Sequence, residues 1–317
     1  MPHPDMLLSF VPVLLLLVLP LLWNVRAAAL LALVATTVLY VVWQAPGAYY
    51  AASLVSALVA TVNILIIVFG AVFLFEMMQA SGYISQISSS LKNISPANDI
   101  RFFLVAIGLS GFFEGVAGFG TPGAIVPLLL ISMGYQPLTA VTAVLLFDGL
   151  FAAFGAVGTP LLAGLKFTLN LDDAVTAQTG VYAAWLLVAA GVVVTVAVIW
   201  LYRKTEGAVN SWSGILLMFV SAFVPFVFFA YWLPEFATIL ASVLMLLVSV
   251  LVFTKGKPNI NLKAWLPYLV LVLLLLLPKV IAPLNQLLDQ ELRFDDIFST
   301  SVSAALKPLK SPLIPFV

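Results

Sequence analysis

Long apolar runs, separated by short polar stretches, dominate the pattern of this chain. A helix needs about 20 apolar residues to cross the hydrocarbon core of a bilayer, and seven runs approach or exceed that length. They cover residues 6–23, 27–43, 50–79, 177–202, 212–232, 234–253 and 264–283. Each run predicts a transmembrane helix, so the pattern indicates an all-α, polytopic transmembrane bundle that forms a single membrane domain.

The polar stretches divide these runs into groups. Residues 80–100 are rich in serine and predict a segment at the membrane interface, after three N-terminal spans within residues 1–79. Residues 166–176 predict an aqueous loop, and four further spans lie within residues 177–283. Residues 284–317 combine a polar segment with the start of another apolar one, so we expect the sequence to continue into a longer protein.

Two breaks interrupt the apolar region that follows the interfacial segment. The first break, residues 111–123, contains five glycines, Glu114 and Pro122. The second, residues 154–160, follows Asp148. An unpaired backbone group costs several kcal/mol in hydrocarbon, so such breaks occur where protein or a water-filled cavity surrounds them. Two interrupted helices with acids beside the breaks indicate the binding site of a transporter.

Composition supports a membrane location and removes several classes of function. Hydrophobic residues make up 63% of the chain, charged residues 8%, and the mean hydropathy is +1.19, as is typical of polytopic membrane proteins. A net charge of zero gives no electrostatic basis for nucleic-acid binding. Cysteine is absent and His3 is the only histidine, so we expect neither a metal site nor a cofactor. A membrane-embedded enzyme is disfavoured for the same reason, and only a Glu114–Asp148 acid pair leaves that class open.

The distribution of basic residues predicts the topology, because cytoplasmic loops of membrane proteins carry an excess of lysine and arginine. If residues 101–133 dip into the membrane and return, eight of the thirteen basic residues fall on the cytoplasmic side. These are Arg26, Lys92, Arg101, Arg203, Lys204, Lys255, Lys257 and Lys263. We therefore predict a re-entrant hairpin over 101–133, an interrupted transmembrane helix over 137–165, and an outside N-terminus in the inner (plasma) membrane of the cell.

A re-entrant hairpin gives the first break a physical role. Its first arm, residues 101–113, covers about 20 Å at 1.5 Å per residue, enough to reach the middle of the membrane. We therefore place the turn of the hairpin at residues 114–123. Pro122 suits the first turn of the returning half-helix, whose exposed amides and partial positive charge attract an anion.

The acids and hydroxyls near the breaks have both functional and structural interpretations. A carboxylate within a membrane helix costs about 2.5 kcal/mol or more and usually marks a transport pathway or a proton relay, which suits Glu114 and Asp148. The structural alternatives are an ion pair between Glu114 and Arg101, a helix-internal hydrogen bond at Asp148, and glycines that serve close packing. Thr121 and Thr159 each precede a proline and can act as helix caps or as ligands.

Three stretches around the two breaks carry a recognisable set of motifs. They are Phe113-Glu-Gly-Val-Ala-Gly-Phe-Gly-Thr-Pro122, Met133-Gly-Tyr-Gln-Pro-Leu138 and Ala153-Phe-Gly-Ala-Val-Gly-Thr-Pro160. This part of the chain, residues 111–170, resembles the L-lactate permease family of bacterial secondary transporters, whose motif reads Leu-Glu-Gly-x-Ala-Gly-Phe-Gly-x-Pro. The resemblance implies inverted repeats, each with a hairpin and an interrupted helix, and transport of small 2-hydroxymonocarboxylates such as lactate and glycolate together with protons.

The sequence departs from that family in two respects. It has Asp148-Gly-Leu-Phe151 where the family typically shows Asn-Thr-Ala-Pro, so Asp148 is a candidate for a second proton site or for selection of a different substrate. Family members are also considerably longer, and the region expected to carry a second hairpin is absent. The expected partner is therefore a second copy of the chain or a missing C-terminal half.

These observations together predict a proton-coupled symporter of a small monocarboxylate, not an enzyme. The expected substrate-binding residues are Gly118, Gly120, Thr121, Gly123, Gly155, Gly158 and Thr159, with Glu114 and Asp148 as the proton-coupling acids. Backbone amides of residues 118–123 would hold the substrate carboxylate. Two rivals stay open: a sodium-coupled carrier, in which carbonyls at the breaks and Asp148 bind the ion, and a non-transporting subunit of a membrane assembly.

Overall fold

The computed structural model divides the described part of the chain into two compact units. The described residues are 8–92, 94–95, 97–118, 120–167, 169, 171–254, 262–288, 290 and 292–306. The first unit holds residues 8–60 together with residues 292–306. The second unit holds the described residues from 61 to 290 and contains both breaks.

The first unit is a pair of antiparallel helices followed by the start of a third. Helix α1 covers Phe10–Leu22, α2 covers Val25–Val42, and α3, Gly47–Ala80, continues into the second unit. A short hairpin of β1, Leu292–Phe294, and β2, Ala304–Leu306, completes the unit. The hydrophobic pattern did not predict this hairpin, because three-residue strands are too short to show the alternation by which strands are recognised.

The second unit contains ten helical elements in its described residues. The first three are α4, Tyr83–Lys92; α5, which joins Asn98–Phe103, the π-helical Leu104–Leu109 and Ser110–Val116; and α6, Thr121–Ser132. The next two are α7, Pro137–Phe151, and α8, which joins Gly155–Leu161 and the π-helical Leu162–Phe167. The last five are α9, Asp173–Thr205; α10, Trp212–Trp232; α11, Ala237–Phe253; α12, Leu262–Val280; and α13, Ala282–Leu288. Short 3₁₀ turns, Ala152–Phe154 and Pro234–Phe236, precede α8 and α11.

Six stretches among the described residues are long and apolar enough to cross a membrane. They are Val25–Val42, Gly47–Ile66, Pro137–Lys166, Asp173–Thr205, Trp212–Trp232 and Pro234–Phe253. The predicted fold class, an all-α polytopic membrane bundle, is confirmed.

Helices α5 and α6 form a hairpin whose two ends lie together. The Tyr135 hydroxyl, which follows α6, donates a hydrogen bond of 2.6 Å to the carbonyl of Asn98 at the start of α5. The chain therefore enters and leaves this hairpin at the same end of the second unit. The turn is shorter than the predicted 114–123, because α5 continues to Val116. A helix pairs its backbone groups internally, which favours its continuation in apolar surroundings.

Three glycines on one face of α5 let it pack closely against α11. A Cβ added at Gly108 would lie 2.8 Å from Met245 Sδ, and one at Gly115 would lie 2.8 Å from the backbone nitrogen of Ile239. Gly111 lies between them and meets the Ser242 side chain. The packing interpretation therefore applies to Gly111 and Gly115, two of the five glycines of the first break.

We expect Gly115→Ala to destabilise the protein by about 1–3 kcal/mol, because the new methyl group must push the α11 backbone away. Gly149→Ala is the matched control, since a Cβ at Gly149 of α7 meets nothing within 4 Å. The control should be neutral or stabilising by up to about 1 kcal/mol. Equilibrium unfolding of both variants in detergent measures the difference, and equal stabilities would contradict the close packing of α5 on α11.

Buried Asp99 ties the start of the hairpin to the connection between α9 and α10. One carboxylate oxygen accepts hydrogen bonds from the backbone amides of Asn210 (2.8 Å) and Ser211 (2.7 Å). The other accepts from the Ser211 hydroxyl (3.0 Å) and from the backbone amide of Ile100 (2.9 Å). The hairpin therefore has a fixed base at this end of the unit.

The hydrogen bonds of Asp99 also show which basic residues lie at the same end of the second unit. Arg101 lies beside the hairpin base, and Arg203 and Lys204 form the last turn of α9, directly before the connection that Asp99 holds. Lys166 lies at the opposite end of α9, where it pairs with Asp173. Two further basic residues of the topology prediction, Lys255 and Lys257, lie outside the described residues.

Candidate functional site

A cavity of about 230 Å³ lies where the two breaks meet. Its lining residues are Glu114, Gly120, Asp148, Ala152, Gly155, Ala156 and Pro160. They come from the tip of the α5–α6 hairpin and from the interruption between α7 and α8. A water molecule takes up about 30 Å³ in the liquid, so the cavity has room for a molecule of a few heavy atoms.

The first break reaches the cavity through two glycines with left-handed backbone. Gly118 has φ +64° and Gly120, the N-cap of α6, has φ +75°, values that side-chain-bearing residues rarely adopt. A Cβ at Gly118 would lie 2.8 Å from the backbone nitrogen of Ala156, so this glycine allows the two breaks to touch. Pro122 occupies the first turn of α6, as predicted.

The second break contains three consecutive residues in the left-handed region. Ala156, Val157 and Gly158 have φ of +43°, +55° and +70°. This conformation costs about 1–2 kcal/mol for each residue other than glycine, and it is a clear outlier for a β-branched valine. Backbone strain of this kind clusters at binding sites and switch regions, and here it shapes one wall of the cavity.

Two acidic side chains, one from the first break and one from the helix before the second break, meet in the cavity. Glu114 is 3% exposed and Asp148 is 8% exposed. Their carboxyl groups lie close enough to interact electrostatically, and Gly120 lines the same cavity as Glu114. Gly155 makes room for the Glu114 carboxyl, because a Cβ there would overlap Glu114 Oε1.

The acid pair has unused hydrogen-bonding capacity. Glu114 Oε2 and Asp148 Oδ1 are buried and have no hydrogen-bond partner. Two carboxylates in contact repel each other strongly when both are ionised, so such a pair is suited to share a proton. An ion pair between Glu114 and Arg101 is absent from the described structure, since Arg101 bonds to Asn98 at the other end of α5, about 20 Å away along the helix.

Four of the nine predicted site residues line the cavity, and the other five surround it. The lining residues among them are Glu114, Gly120, Asp148 and Gly155. Thr121 donates its hydroxyl hydrogen to the carbonyl of Gly118, and Thr159 donates to the carbonyl of Ala156, so both hydroxyl protons are used within their own turns.

Two predicted glycines serve contacts behind the cavity wall, and three lining residues were not among the predicted ligands. Gly123 faces Leu145 of α7, and Gly158 faces the backbone of Glu235. The added lining residues are Ala152, Ala156 and Pro160. Alanine carries no sequence signal for a binding role, whereas Pro160 belongs to the second break that the sequence marks.

Broken helices that bring buried acids together inside an apolar bundle are typical of secondary transporters. The chain belongs to the L-lactate permease family, whose model matches residues 5–311. This family is one of permeases, not of enzymes. The predicted family is therefore confirmed, and the protein is a multi-pass membrane protein of a transport family.

Curated relatives agree with this assignment. The chain is 32% identical over 202 residues to the L-lactate permease of Halalkalibacterium halodurans, a match that covers 62% of this chain and 36% of the relative. It is 35% identical over 102 residues to the L-lactate permease of Escherichia coli and 36% identical over 102 residues to the glycolate permease of that organism. Each of those matches covers 32% of this chain and 18% of the relative. The matches thus span between 18% and 36% of the length of these relatives. No solved structure matches the chain.

Proposed function

We propose that this protein carries a small monocarboxylate, such as lactate or glycolate, across the inner membrane together with protons. The observation that carries the proposal is the meeting of Glu114 and Asp148 in a small cavity between two helix breaks. The names of the relatives support the substrate class, because they include both L-lactate permeases and a glycolate permease.

The charge of the cavity explains why an anion would need a proton. Two unit charges 4 Å apart repel by about 4 kcal/mol at the effective dielectric of a protein. A monocarboxylate that enters beside ionised Glu114 and Asp148 meets this repulsion twice. When the pair holds protons, the repulsion is removed and the carboxyl groups become hydrogen-bond donors to the substrate. Binding of the anion and binding of the proton therefore favour each other.

The first turn of α6 supplies the positive partial charge for the substrate. Gly120, the N-cap of α6, lines the cavity together with Glu114, so the Glu114 carboxyl lies beside the place that a substrate carboxylate would take. Protonation of Glu114 removes its negative charge from this place. We propose that amides of residues 118–123 then hold the substrate, with Thr121 and Thr159 as neighbouring hydrogen-bonding groups. Gly155 would leave room within the cavity, and Gly158 would support its wall from behind.

We also propose the orientation that the basic residues indicate. Arg101, Arg203 and Lys204 share one end of the second unit, and the excess of basic residues on cytoplasmic sides places this end in the cytoplasm. The hairpin then dips into the membrane from the cytoplasm, and the N-terminus lies outside. A second copy of the chain, or a further half that carries a second hairpin, would complete the site.

The binding test is calorimetric titration of the purified chain with lactate in buffers of different ionisation enthalpy. We expect lactate binding to take up protons, because the acid pair must be protonated to admit the anion. Lactamide, which has the same shape without the carboxylate, is the matched control and should show no proton uptake. Lactate binding without proton uptake but with a requirement for sodium would favour the sodium-coupled carrier instead.

A further inference from the structure

Glu235 lies on the turn that joins α10 to α11, at the far end of α10 from the Asp99 tie. Helix α10 has 21 residues, which separates its two ends by about 31 Å. Glu235 is partly exposed, and its Oε2 atom is buried. Nothing in the sequence marks this acid, because it directly follows an apolar helix, where an ordinary loop residue would also lie.

The strained segment of the second break lies between Glu235 and the acid pair. At one end of the segment, Gly155 faces the Glu114 carboxyl. At the other end, a Cβ on Gly158 would lie 2.7 Å from the Cα atom of Glu235 and 3.3 Å from its nitrogen. The backbone of residues 155–158 therefore connects the surroundings of Glu235 with those of Glu114. Both contacts require glycine, because a side chain at Gly155 or Gly158 would overlap its neighbour.

A line of buried hydroxyl groups runs from Glu235 along α11. Thr238 and Ser242 follow Glu235 at three and seven residues, and their own spacing of four places both on one face of α11. Both hydroxyls are buried and have no hydrogen-bond partner. Ser242 meets Gly111 of α5, one turn before Glu114. Serine and threonine hydroxyls in membrane helices usually bond to a carbonyl of their own helix. The hydroxyls of Thr238 and Ser242 do not, so they are available to hold water or to pass a proton.

The geometry points to Glu235 as a third acid of the proton pathway, which exchanges protons between the outer end of the second unit and the Glu114–Asp148 pair. This inference rests on the proposed proton-coupled transport. In each cycle the Glu235 carboxyl releases a proton, which an ionised member of the pair accepts, and the Glu235 carboxylate takes up a new proton from bulk water. One proton from bulk water replaces each proton that reaches the pair, so the step needs no further reactant.

The described elements that pack against the turn of Glu235 carry few other charged or titratable groups. The Pro234–Phe236 turn packs against α8, α10, α11 and the Ala152–Phe154 turn. Within residues 152–161 and 237–253 there is no titratable side chain, and α10 contributes only Tyr231. Lys166, at the end of the π-helical continuation of α8, is engaged by Asp173. Glu235 is therefore the acid that would exchange protons on the side of the second break where Gly158 lies.

The test compares Glu235→Gln with wild type in liposomes by two assays on the same preparations. The first assay is net uptake of lactate driven by a proton gradient, measured over a range of external pH. The second is exchange of labelled for unlabelled lactate, which needs no net proton movement. Glu235→Asp keeps the carboxyl group, and Glu76→Gln makes the same chemical change at an exposed residue of α3.

We expect Glu235→Gln to lower net uptake about a hundredfold, the usual contribution of a positioned proton-transfer group, and to leave exchange within the range of wild type. Glu235→Asp should restore most of the net uptake with a shifted pH profile, and Glu76→Gln should behave as wild type. The inference would be overturned, and the proposed function would stand, if net uptake were unchanged in Glu235→Gln. The same would follow if both Glu235 variants lost uptake and exchange equally. A wild-type chain that neither binds nor transports lactate or glycolate would instead overturn the proposed function, and the inference with it.

Discussion

Glu114→Gln should abolish proton-driven uptake of lactate, with a loss of about a hundredfold or more. Glutamine has nearly the same size as glutamate, so the substitution should preserve the packing around the cavity. Glutamine cannot take up or release a proton, so the linkage between anion binding and protonation is lost. Net uptake of labelled lactate into liposomes under an imposed proton gradient measures this effect.

Two comparisons separate the loss of a proton carrier from the loss of the fold. Exchange of labelled for unlabelled lactate should survive in Glu114→Gln, because the variant resembles the protonated state that binds the anion. Asp148→Asn should show a smaller loss of net uptake, since Glu114 remains. Proton-driven uptake that persists in Glu114→Gln and disappears in Asp148→Asn would exchange the roles of the two acids.

Asp99→Ala should destabilise the protein by about 3 kcal/mol or more, the second large effect that we expect. The substitution removes a buried carboxylate that accepts four hydrogen bonds, and each buried donor left without a partner costs about 1–3 kcal/mol. Equilibrium unfolding in detergent measures the free energy of unfolding. Because Asp99 fixes the base of the hairpin, the variant should also bind lactate more weakly.

Asp172→Ala is the matched control for Asp99→Ala. Asp172 caps the start of α9, where its side chain accepts one hydrogen bond of 2.7 Å from the Val175 amide at an exposed position. Loss of such a cap costs about 1 kcal/mol. Equal losses of stability in the two variants would mean that the tie between the hairpin and the α9–α10 connection contributes little.

The sequence alone led to the predictions of a re-entrant hairpin, an interrupted helix and two acids in the transport site. Glycines, prolines and carboxylates within an apolar run are costly in a membrane, so each is a local signal that needs no structure. The excess of basic residues on one side then favoured a returning hairpin over a crossing helix. That Glu114 and Asp148 meet in one cavity is a property of the packed helices, and the sequence could only suggest each acid separately.

Other features could not be predicted, because residue type does not reveal them. Gly115 resembles the glycines of the turn, yet it serves packing against Ile239, and only the position of α11 distinguishes the two uses. Ala156 and Val157 give no sign of a left-handed backbone, since their strain is imposed by the contacts of the break. Asp99 and Glu235 both appear as ordinary polar residues at the ends of apolar runs. Their partners lie on segments that only the folded structure brings near.

The central claim is that a monocarboxylate and a proton cross the membrane together through the site of Glu114 and Asp148. The most direct measurement is the external pH of a weakly buffered suspension of liposomes that contain the chain, after addition of lactate in sodium-free medium. We predict that the medium becomes more alkaline as lactate enters, and that Glu114→Gln removes this change. Entry of lactate with no change in external pH, or only when sodium is present, would contradict the account.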